Sequence, residues 1–118
     1  MTDISTIARR VVDALNGRDF AALAGLAHED VAISGIGGGM DNGREALRER
    51  FARHFQATDE SYGDVLVLSD GGDSHAAVRV TARGKGAGGA AASGERVLLL
   101  DLEDGRITRI GLFAPAQS

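Results

Sequence analysis

The chain has 118 residues, 43% of them hydrophobic and 25% charged, which suits one domain with a buried core over residues 1–118. Its net charge of −4 and the lack of any block of like charges argue against nucleic acid or an anionic membrane surface as partner. The chain contains no Cys, which excludes disulfides and thiolate metal sites. No apolar run approaches the roughly 20 residues that span a bilayer, and no signal-peptide pattern is present. We therefore expect a cytoplasmic protein.

The N-terminal part of the chain has the periodicity of α-helices. A first helix carries apolar residues that recur every three or four positions: Ile4, Ile7, Ala8, Val11, Val12 and Leu15. Thr2 or Asp3 can cap its start. Asn16-Gly17 is expected to end it, because glycine readily adopts the left-handed conformation of a helix C-terminus. Asp19 is expected to cap a second, shorter helix, which carries Phe20, Leu23 and Leu26.

A short strand and a third helix follow. Residues 31–36 have the composition of a strand, and the glycine-rich stretch 37–42 is expected to cross the mouth of the fold as a lid or portal. The third helix begins at Gly43. Its apolar face is formed by Leu47, Phe51, His54 and Phe55.

The C-terminal half is predicted to form four strands in a meander. Residues 62–69 and 75–84 are predicted to be the first two strands, with a turn at 70–73 between them. Residues 85–93 are almost all Gly and Ala, which is typical of a mobile connection. The last two strands flank Asp104-Gly105, a dipeptide that tolerates the positive φ values of a tight hairpin.

Side-chain alternation predicts which face of the penultimate strand is buried. Leu98, Leu100 and Leu102 share one wholly apolar face, so we expect that face to point into the core. Asp101 then points outward, since burying an unpaired carboxylate costs several kcal/mol or forces it neutral. A different register would instead make Asp101 an acid of an internal pocket.

The strand at residues 75–84 allows the same two arrangements. Its default places Val78, Val80 and Ala82 inward and Arg79 outward. A β-bulge would invert this strand and make Arg79 an anion-binding residue of the pocket, and bulges recur beside active sites.

The chain resembles the NTF2-like superfamily, and within it the SnoaL-like and ketosteroid-isomerase-like small proteins. The resemblance covers nearly the whole chain and is carried by residues 11–19, 26–31, 43–48 and 104–107. It implies a cone-shaped α+β fold in which a curved antiparallel sheet wraps around three N-terminal helices and encloses an apolar pocket. It also implies frequent dimerisation through the outer sheet face. Members include isomerases, polyketide cyclases, dehydratases and epoxide hydrolases, as well as non-catalytic modules, so fold alone does not decide function.

The best-known catalytic sets of that superfamily are incomplete in this sequence. Val11 stands where the isomerase branch has its tyrosine, and the base position falls at or near Gly35. The second acid position falls on Leu98 or Asp101, depending on the register. For the Asp-Arg-Asp set of the epoxide hydrolases, Arg79 could supply the arginine, but both aspartate positions hold other residues, Thr81 and Leu112.

Three residues remain as candidate catalytic groups. His54 lies at the edge of the apolar face of the third helix and could act as a general base near neutral pH, although a surface position is the alternative. Arg79 and Asp101 are candidates only under the alternative registers. The predicted pocket lining comprises Val11, Leu15, Gly35, Phe51, Phe55, Val78, Val80, Leu98, Leu100 and Phe113.

No cofactor or metal is predicted. Met40 occupies the place of the third glycine in a possible Gly-x-Gly-x-x-Gly motif, and no Gly-Lys-Ser/Thr sequence is present. The three histidines lack metal-ligand spacing.

Two functional hypotheses follow. The first is a SnoaL-like cyclase, isomerase or dehydratase acting on an apolar, carbonyl-containing metabolite. The second is a non-catalytic module that binds such a ligand or serves as a dimerisation module. In both cases Val97 and Leu99 are expected to lie on an apolar outer sheet face, which predicts a homodimer through that face.

Overall fold

The computed structural model describes residues 3–35, 39–85 and 91–114. Three helices and six strands follow each other in the order α1 (Ile4–Asn16), α2 (Phe20–Gly25), β1 (Ala27–Gly35), β2 (Asp41–Asn42), α3 (Arg44–Ala57), β3 (Asp59–Ser69), β4 (His75–Lys85), β5 (Ala91–Glu103) and β6 (Arg106–Phe113). The expected α+β architecture, N-terminal helices followed by a curved sheet, is confirmed.

The strands form one open sheet in the order β2-β1-β6-β5-β4-β3. All neighbours are antiparallel except β1 and β6, which run parallel. The sequence predicted an antiparallel sheet, and this one pairing differs. A hairpin forces antiparallel pairing, but four further strands and α3 lie between β1 and β6 in the chain, so their pairing is free of that constraint.

The two faces of the sheet differ in polarity. We call the face packed against the helices the concave face and the opposite one the convex face. Leu98, Leu100 and Leu102 are buried on the concave face, as the alternation predicted. Leu99, between them, points to the convex face and is exposed. Burial of the apolar helix faces against this inner wall holds the domain together.

The closing hairpin forms as expected. Asp104 and Gly105 are its two connecting residues and have φ values of 52° and 77°. This is the conformation for which Asp-Gly is favoured in two-residue hairpins.

The predicted end of α1 is correct in position but wrong in conformation. The helix ends at Asn16, yet Gly17 has φ −83° and is right-handed. The next residue, Arg18, takes the left-handed conformation instead, with φ 55°. Residues other than glycine are strained in the left-handed region, so contacts of the Arg18 side chain must stabilise this conformation.

Several strands are longer than predicted. Strand β1 begins at Ala27, four residues before the predicted start at residue 31. Strands β4 and β5 extend into the Gly/Ala stretch, where Lys85 pairs with Ala91. Residues 86–90 of that stretch, and residues 37–38 of the predicted lid, lie outside the described residues. Strand β3 begins at Asp59 and is interrupted by a register shift between Gly63 and Leu66.

Within the described ranges, no helix is both long and apolar enough to cross a membrane.

Candidate functional site

One buried charged side chain interrupts the apolar inner wall. Glu60, near the start of β3, is 5% exposed. Among the described residues it is the one polar or charged residue that is buried. Strand β4 approaches it closely at Gly84, where an added Cβ would lie 2.7 Å from the Cα of Glu60. Glycine at this point lets the two strands pair next to the buried carboxylate.

Three side chains from three elements converge on the Glu60 carboxylate. The Tyr62 hydroxyl donates a 2.8 Å hydrogen bond to Oε1. His54 Nε2, from the end of α3, lies 3.4 Å from the same oxygen. Arg96 Nη2, from β5, lies 3.3 Å from Oε2. We call His54, Glu60, Tyr62 and Arg96 the Glu60 cluster.

The cluster fixes the protonation states of two of its members. Burial alone would raise the pKa of Glu60, but hydrogen bonds from His54 and Tyr62 and the charge of Arg96 outweigh it and hold the pKa below its ordinary value of 4.5. Burial, together with the neighbouring Glu60, raises the pKa of Tyr62 far above its ordinary value of 10.0. Near neutral pH, Glu60 is therefore an ionised acceptor and Tyr62 a protonated donor.

An aromatic group borders the cluster. The Phe55 ring stacks on Phe20 and Phe51, with centroid distances of 6.0 and 6.5 Å. Its edge contacts involve Tyr62 at 5.9 Å and His54 at 4.9 Å. The polar groups therefore lie against an apolar surface that restricts access of water.

Arg18 closes the cluster on the helix side. Its guanidinium lies 4.0 Å from the centroid of the Phe55 ring. The same group donates hydrogen bonds of 2.8 and 2.6 Å to the backbone carbonyls of Leu15 and Glu60. These contacts account for the left-handed backbone of Arg18, because they stabilise the one conformation that brings its side chain here.

Of the three candidate catalytic residues, the structure places only His54 in this cluster. Arg79 points to the convex face, where its Nε lies 3.7 Å from Glu95 Oε1. Asp101 is also on the convex face, and its Oδ1 lies 2.8 Å from His75 Nδ1. Strands β4 and β5 therefore have the orientation that was expected by default. The alternative registers, which would have pointed Arg79 and Asp101 into the pocket, are wrong.

Most of the predicted pocket-lining residues are buried in the core behind the concave face: Val11, Leu15, Phe51, Phe55, Val78, Val80, Leu98 and Leu100. Gly35 is half-buried, with φ 84°, and pairs with Leu112. Phe113 was predicted to line the pocket, but it is 40% exposed and covers Gly111 on the convex face, so this prediction is wrong. A register shift between Asp101 and Leu102 changes the alternation along β6, so Phe113 does not share the face of Ile107.

Glu60, Tyr62 and Arg96 were not among the site residues predicted from the sequence. Arg96 differs from Leu98 by two positions, so the same alternation that placed the leucines inward contained the signal for Arg96. Glu60 lies two positions before Tyr62, where the strand was predicted to begin, and thus fell outside the predicted element.

A second histidine–carboxylate pair lies on the convex face. His75 and Asp101 line an open groove together with Leu68, Leu99 and Arg109. The hydrogen bond to Asp101 raises the pKa of His75 above its ordinary value of 6.5. Within the described part of the chain, no group of three or more His, Cys, Asp or Glu residues could hold a metal ion.

The sequence of the chain matches a known protein family. The sequence model described as the SnoaL-like domain matches residues 8–110. No curated protein sequence matches the chain.

Solved structures show the same fold at low sequence identity. A candidate polyketide cyclase from Xanthomonas campestris pv. campestris has 20% identity and a TM-score of 0.85, covering 95% of this chain and 90% of its own. TerC, co-crystallised with polyporic acid, has 18% identity and a TM-score of 0.78 over 92% of this chain and 88% of its own. A Mycobacterium tuberculosis protein in complex with estradiol-17beta-hemisuccinate has 16% identity and a TM-score of 0.79, covering 98% and 95%.

Proposed function

The chain belongs to the SnoaL-like domain family of the NTF2-like superfamily, and from this premise we propose that it binds an apolar, carbonyl-containing small molecule against its concave face and acts on it by proton transfer. The observation that carries the proposal is the Glu60 cluster, a set of convergent ionisable groups on an otherwise apolar inner wall. Small-molecule sites are commonly built in this way, from apolar linings with a few placed polar groups.

The residue types of the cluster suit acid–base chemistry. The imidazole ring of His54 can both donate and accept a proton, and 23% of its side chain is exposed. The other members are fixed in one charge state near neutral pH, Glu60 as a carboxylate and Arg96 as a cation. His54 is therefore the member best suited to exchange a proton with a bound molecule.

The proposed chemistry does not use the usual ketosteroid isomerase set. The resemblance puts its three positions at Val11, at or near Gly35, and at Leu98 or Asp101, and of the last two Leu98 is the residue buried on the concave face. Acid–base work must then come from a different place on the inner wall, and the Glu60 cluster supplies one.

The ligands of two structural neighbours support a small molecule as the occupant. TerC was co-crystallised with polyporic acid, and the Mycobacterium tuberculosis protein is in complex with estradiol-17beta-hemisuccinate. Both are organic molecules and neither is a macromolecule, so both serve as first probes for this chain.

A non-catalytic binding module is the second candidate. It is favoured by the saturation of the Glu60 carboxylate, which already accepts contacts from Tyr62, His54 and Arg96. In that role the cluster would stabilise the inner wall, and His54 would contribute to binding without turnover.

The experiment that tests the binding site uses side-chain methyl groups as reporters of the two faces. Polyporic acid and estradiol-17beta-hemisuccinate are titrated into protein labelled with carbon-13 at the methyl groups of Leu and Val. We expect shifts for Val80 and Leu98 on the concave face and none for Leu68 and Leu99 on the convex face. Shifts confined to the convex methyl groups, or none with either probe, would contradict the proposal.

We also propose that the convex face pairs with a second copy of the chain. Four large apolar side chains are exposed there: Leu66, Leu68, Leu99 and Phe113. Such a concentration on one face is typical of an interface, and a two-fold dimer is the commonest assembly. Light scattering at micromolar concentration is expected to give twice the chain mass, and a monomeric mass would contradict the dimer.

A further inference from the structure

We propose that Glu60 is a positioning residue that holds His54 in the tautomer with the proton on Nε2, so that Nδ1 is the proton acceptor for a C–H bond next to the ligand's carbonyl group. The chemical step rests on the proposed function, whereas the tautomer is a property of the free protein. The two parts can therefore fail separately.

The Glu60 carboxylate determines which ring nitrogen of His54 carries the proton. An ionised carboxylate only accepts hydrogen bonds. The ring nitrogen that faces Glu60 Oε1 is Nε2 of His54, at 3.4 Å. For this contact to be a hydrogen bond, Nε2 must carry the proton. In a neutral imidazole the other nitrogen, Nδ1, then has the free lone pair.

Nδ1, the other ring nitrogen of His54, is the candidate proton acceptor. Within residues 3–35, 39–85 and 91–114, no hydrogen bond engages His54 Nδ1. The ring remains partly exposed, and its edge rests on Phe55. Nδ1 is thus the basic atom of the cluster that remains available to an incoming molecule.

The Glu60 carboxylate also stabilises the imidazolium that forms when His54 accepts a proton. When Nδ1 accepts a proton, the resulting imidazolium lies beside the Glu60 carboxylate, whose side chain is only 6% exposed. Attraction between opposite charges is stronger there than in water. Their present separation of 3.4 Å is long for a hydrogen bond, and such contacts often shorten when substrate is bound.

The neighbouring charges do not oppose this arrangement directly. Arg96 engages Oε2 of the carboxylate and not the oxygen that faces His54. Arg18 is committed to the Phe55 ring and to the backbone carbonyls of Leu15 and Glu60. Tyr62 stays neutral near physiological pH because the pKa of its hydroxyl is raised.

The proposed step balances without a cofactor. The C–H bond next to the carbonyl breaks, its proton goes to His54 Nδ1, and its electron pair forms an enolate with the carbonyl group. In an enolate conjugated with a C=C bond, the Nδ1–H proton can return to the far carbon, so that the double bond shifts and an isomer forms. With a hydroxyl group on the β-carbon, the proton goes to the hydroxyl oxygen as its C–O bond breaks, and water leaves with formation of a C=C bond.

The first test measures the tautomer of His54 in the free protein. Long-range proton–nitrogen NMR spectra distinguish a protonated from an unprotonated ring nitrogen. We expect Nε2–H in the wild type. In Glu60→Gln, the amide oxygen should face Arg96, because Arg96 can only donate hydrogen bonds. The amide NH2 group then faces His54 Nε2, which must accept a hydrogen bond. We therefore expect the tautomer of His54 to switch to Nδ1–H.

The matched control is Glu95→Gln, the same change at an exposed residue on the convex face. It should leave the wild-type tautomer in place. If Glu60→Gln does not fold, Glu60→Asp serves instead, because its shorter side chain withdraws the carboxylate and should leave a mixture of tautomers. Nδ1–H in the wild type, or a tautomer unaffected by the Glu60 change, overturns the positioning role.

The second test measures proton abstraction. Deuterium incorporation next to the carbonyl of α-tetralone, an apolar ketone, is followed in D2O by mass spectrometry. We expect acceleration by the wild type and by Glu95→Gln, none by His54→Ala, and a loss of about 100-fold in Glu60→Gln. Exchange that Glu60→Gln does not slow overturns the inference. No exchange with the wild type counts against proton transfer as the function, and the tautomer measurement then decides the positioning role by itself.

Discussion

The molecule contains two histidine–carboxylate pairs, one on each face of its sheet. On the concave face, His54 and Glu60 are 3.4 Å apart, with 23% and 6% of their side chains exposed. On the convex face, His75 and Asp101 are only 2.8 Å apart, with 65% and 40% exposed. Distance alone would rank the convex pair as the stronger one. Burial reverses that order. Solvent screens the attraction within the exposed His75–Asp101 pair, whereas the buried Glu60 carboxylate depends on its protein partners for stabilisation.

The number of partners separates the two pairs further. Glu60 is contacted by side chains from α3, β3 and β5, so its position depends on three elements at once. The Asp101 carboxylate is bonded by His75, its partner on the adjacent strand. A site that must hold a proton acceptor in place requires the first kind of arrangement, since several independent contacts reduce the freedom of each side chain.

The largest expected effect compares adjacent leucines of β5. Leu98→Ala removes a fully buried side chain from the concave face and should lower the free energy of unfolding by about 4 kcal/mol. Leu99→Ala changes an exposed residue and should cost less than about 1 kcal/mol in the monomer. Urea denaturation at low protein concentration measures both. Equal losses would show that the two faces are not distinguished by burial.

The next effect compares the two carboxylates. Glu60→Ala leaves Arg96 and Tyr62 without their shared acceptor, and it should destabilise the protein by about 3 kcal/mol. Asp101→Ala removes the partner of an exposed histidine and should cost much less than Glu60→Ala. Thermal and urea denaturation of both variants provide the measurement. A larger loss from Asp101→Ala would reverse the ranking of the two pairs.

The smallest effects are pH dependences of opposite sign. The depressed pKa of Glu60 stabilises the fold above the carboxyl's ordinary value of 4.5, and this contribution is lost as the pH falls through the folded-state pKa. The raised pKa of His75 stabilises the fold below its ordinary value of 6.5, and that contribution is lost as the pH rises through the folded-state pKa. Glu60→Gln should flatten only the acid limb, and Asp101→Asn only the alkaline one.

Each of these two variants is the control for the other. Urea denaturation across the acid to mildly alkaline range separates the limbs. If both variants alter the same limb, the assignment of one pair to each limb is wrong.

Much of the fold could be predicted from local patterns. The alternation of Leu98, Leu100 and Leu102 predicted the buried face of β5, because an apolar stripe with period two has only one favourable orientation against a core. The Asp104-Gly105 hairpin was predictable because few residue pairs tolerate two consecutive positive φ values. The helical spacing of His54 with Phe51 and Phe55 indicated the edge of the apolar face of α3 and left a surface position as the alternative.

The rest of the site depends on irregularities that local patterns do not show. In β3 the alternation is broken, since Tyr62 and Val67 both face inward although they are five residues apart. The shift occurs around Asp64, a non-glycine residue with φ 51°. A strict period of two would place Tyr62 together with Leu66 and Leu68, which are exposed. Only the three-dimensional register brings Glu60 and Tyr62 next to His54.

The most direct test of the functional assignment is a crystal structure of the protein with polyporic acid or estradiol-17beta-hemisuccinate bound. The account predicts that the ligand lies against the concave face, with a polar atom within hydrogen-bonding distance of His54 Nδ1 and its apolar part near Phe55. A ligand bound instead in the convex groove beside His75 and Asp101 would contradict it.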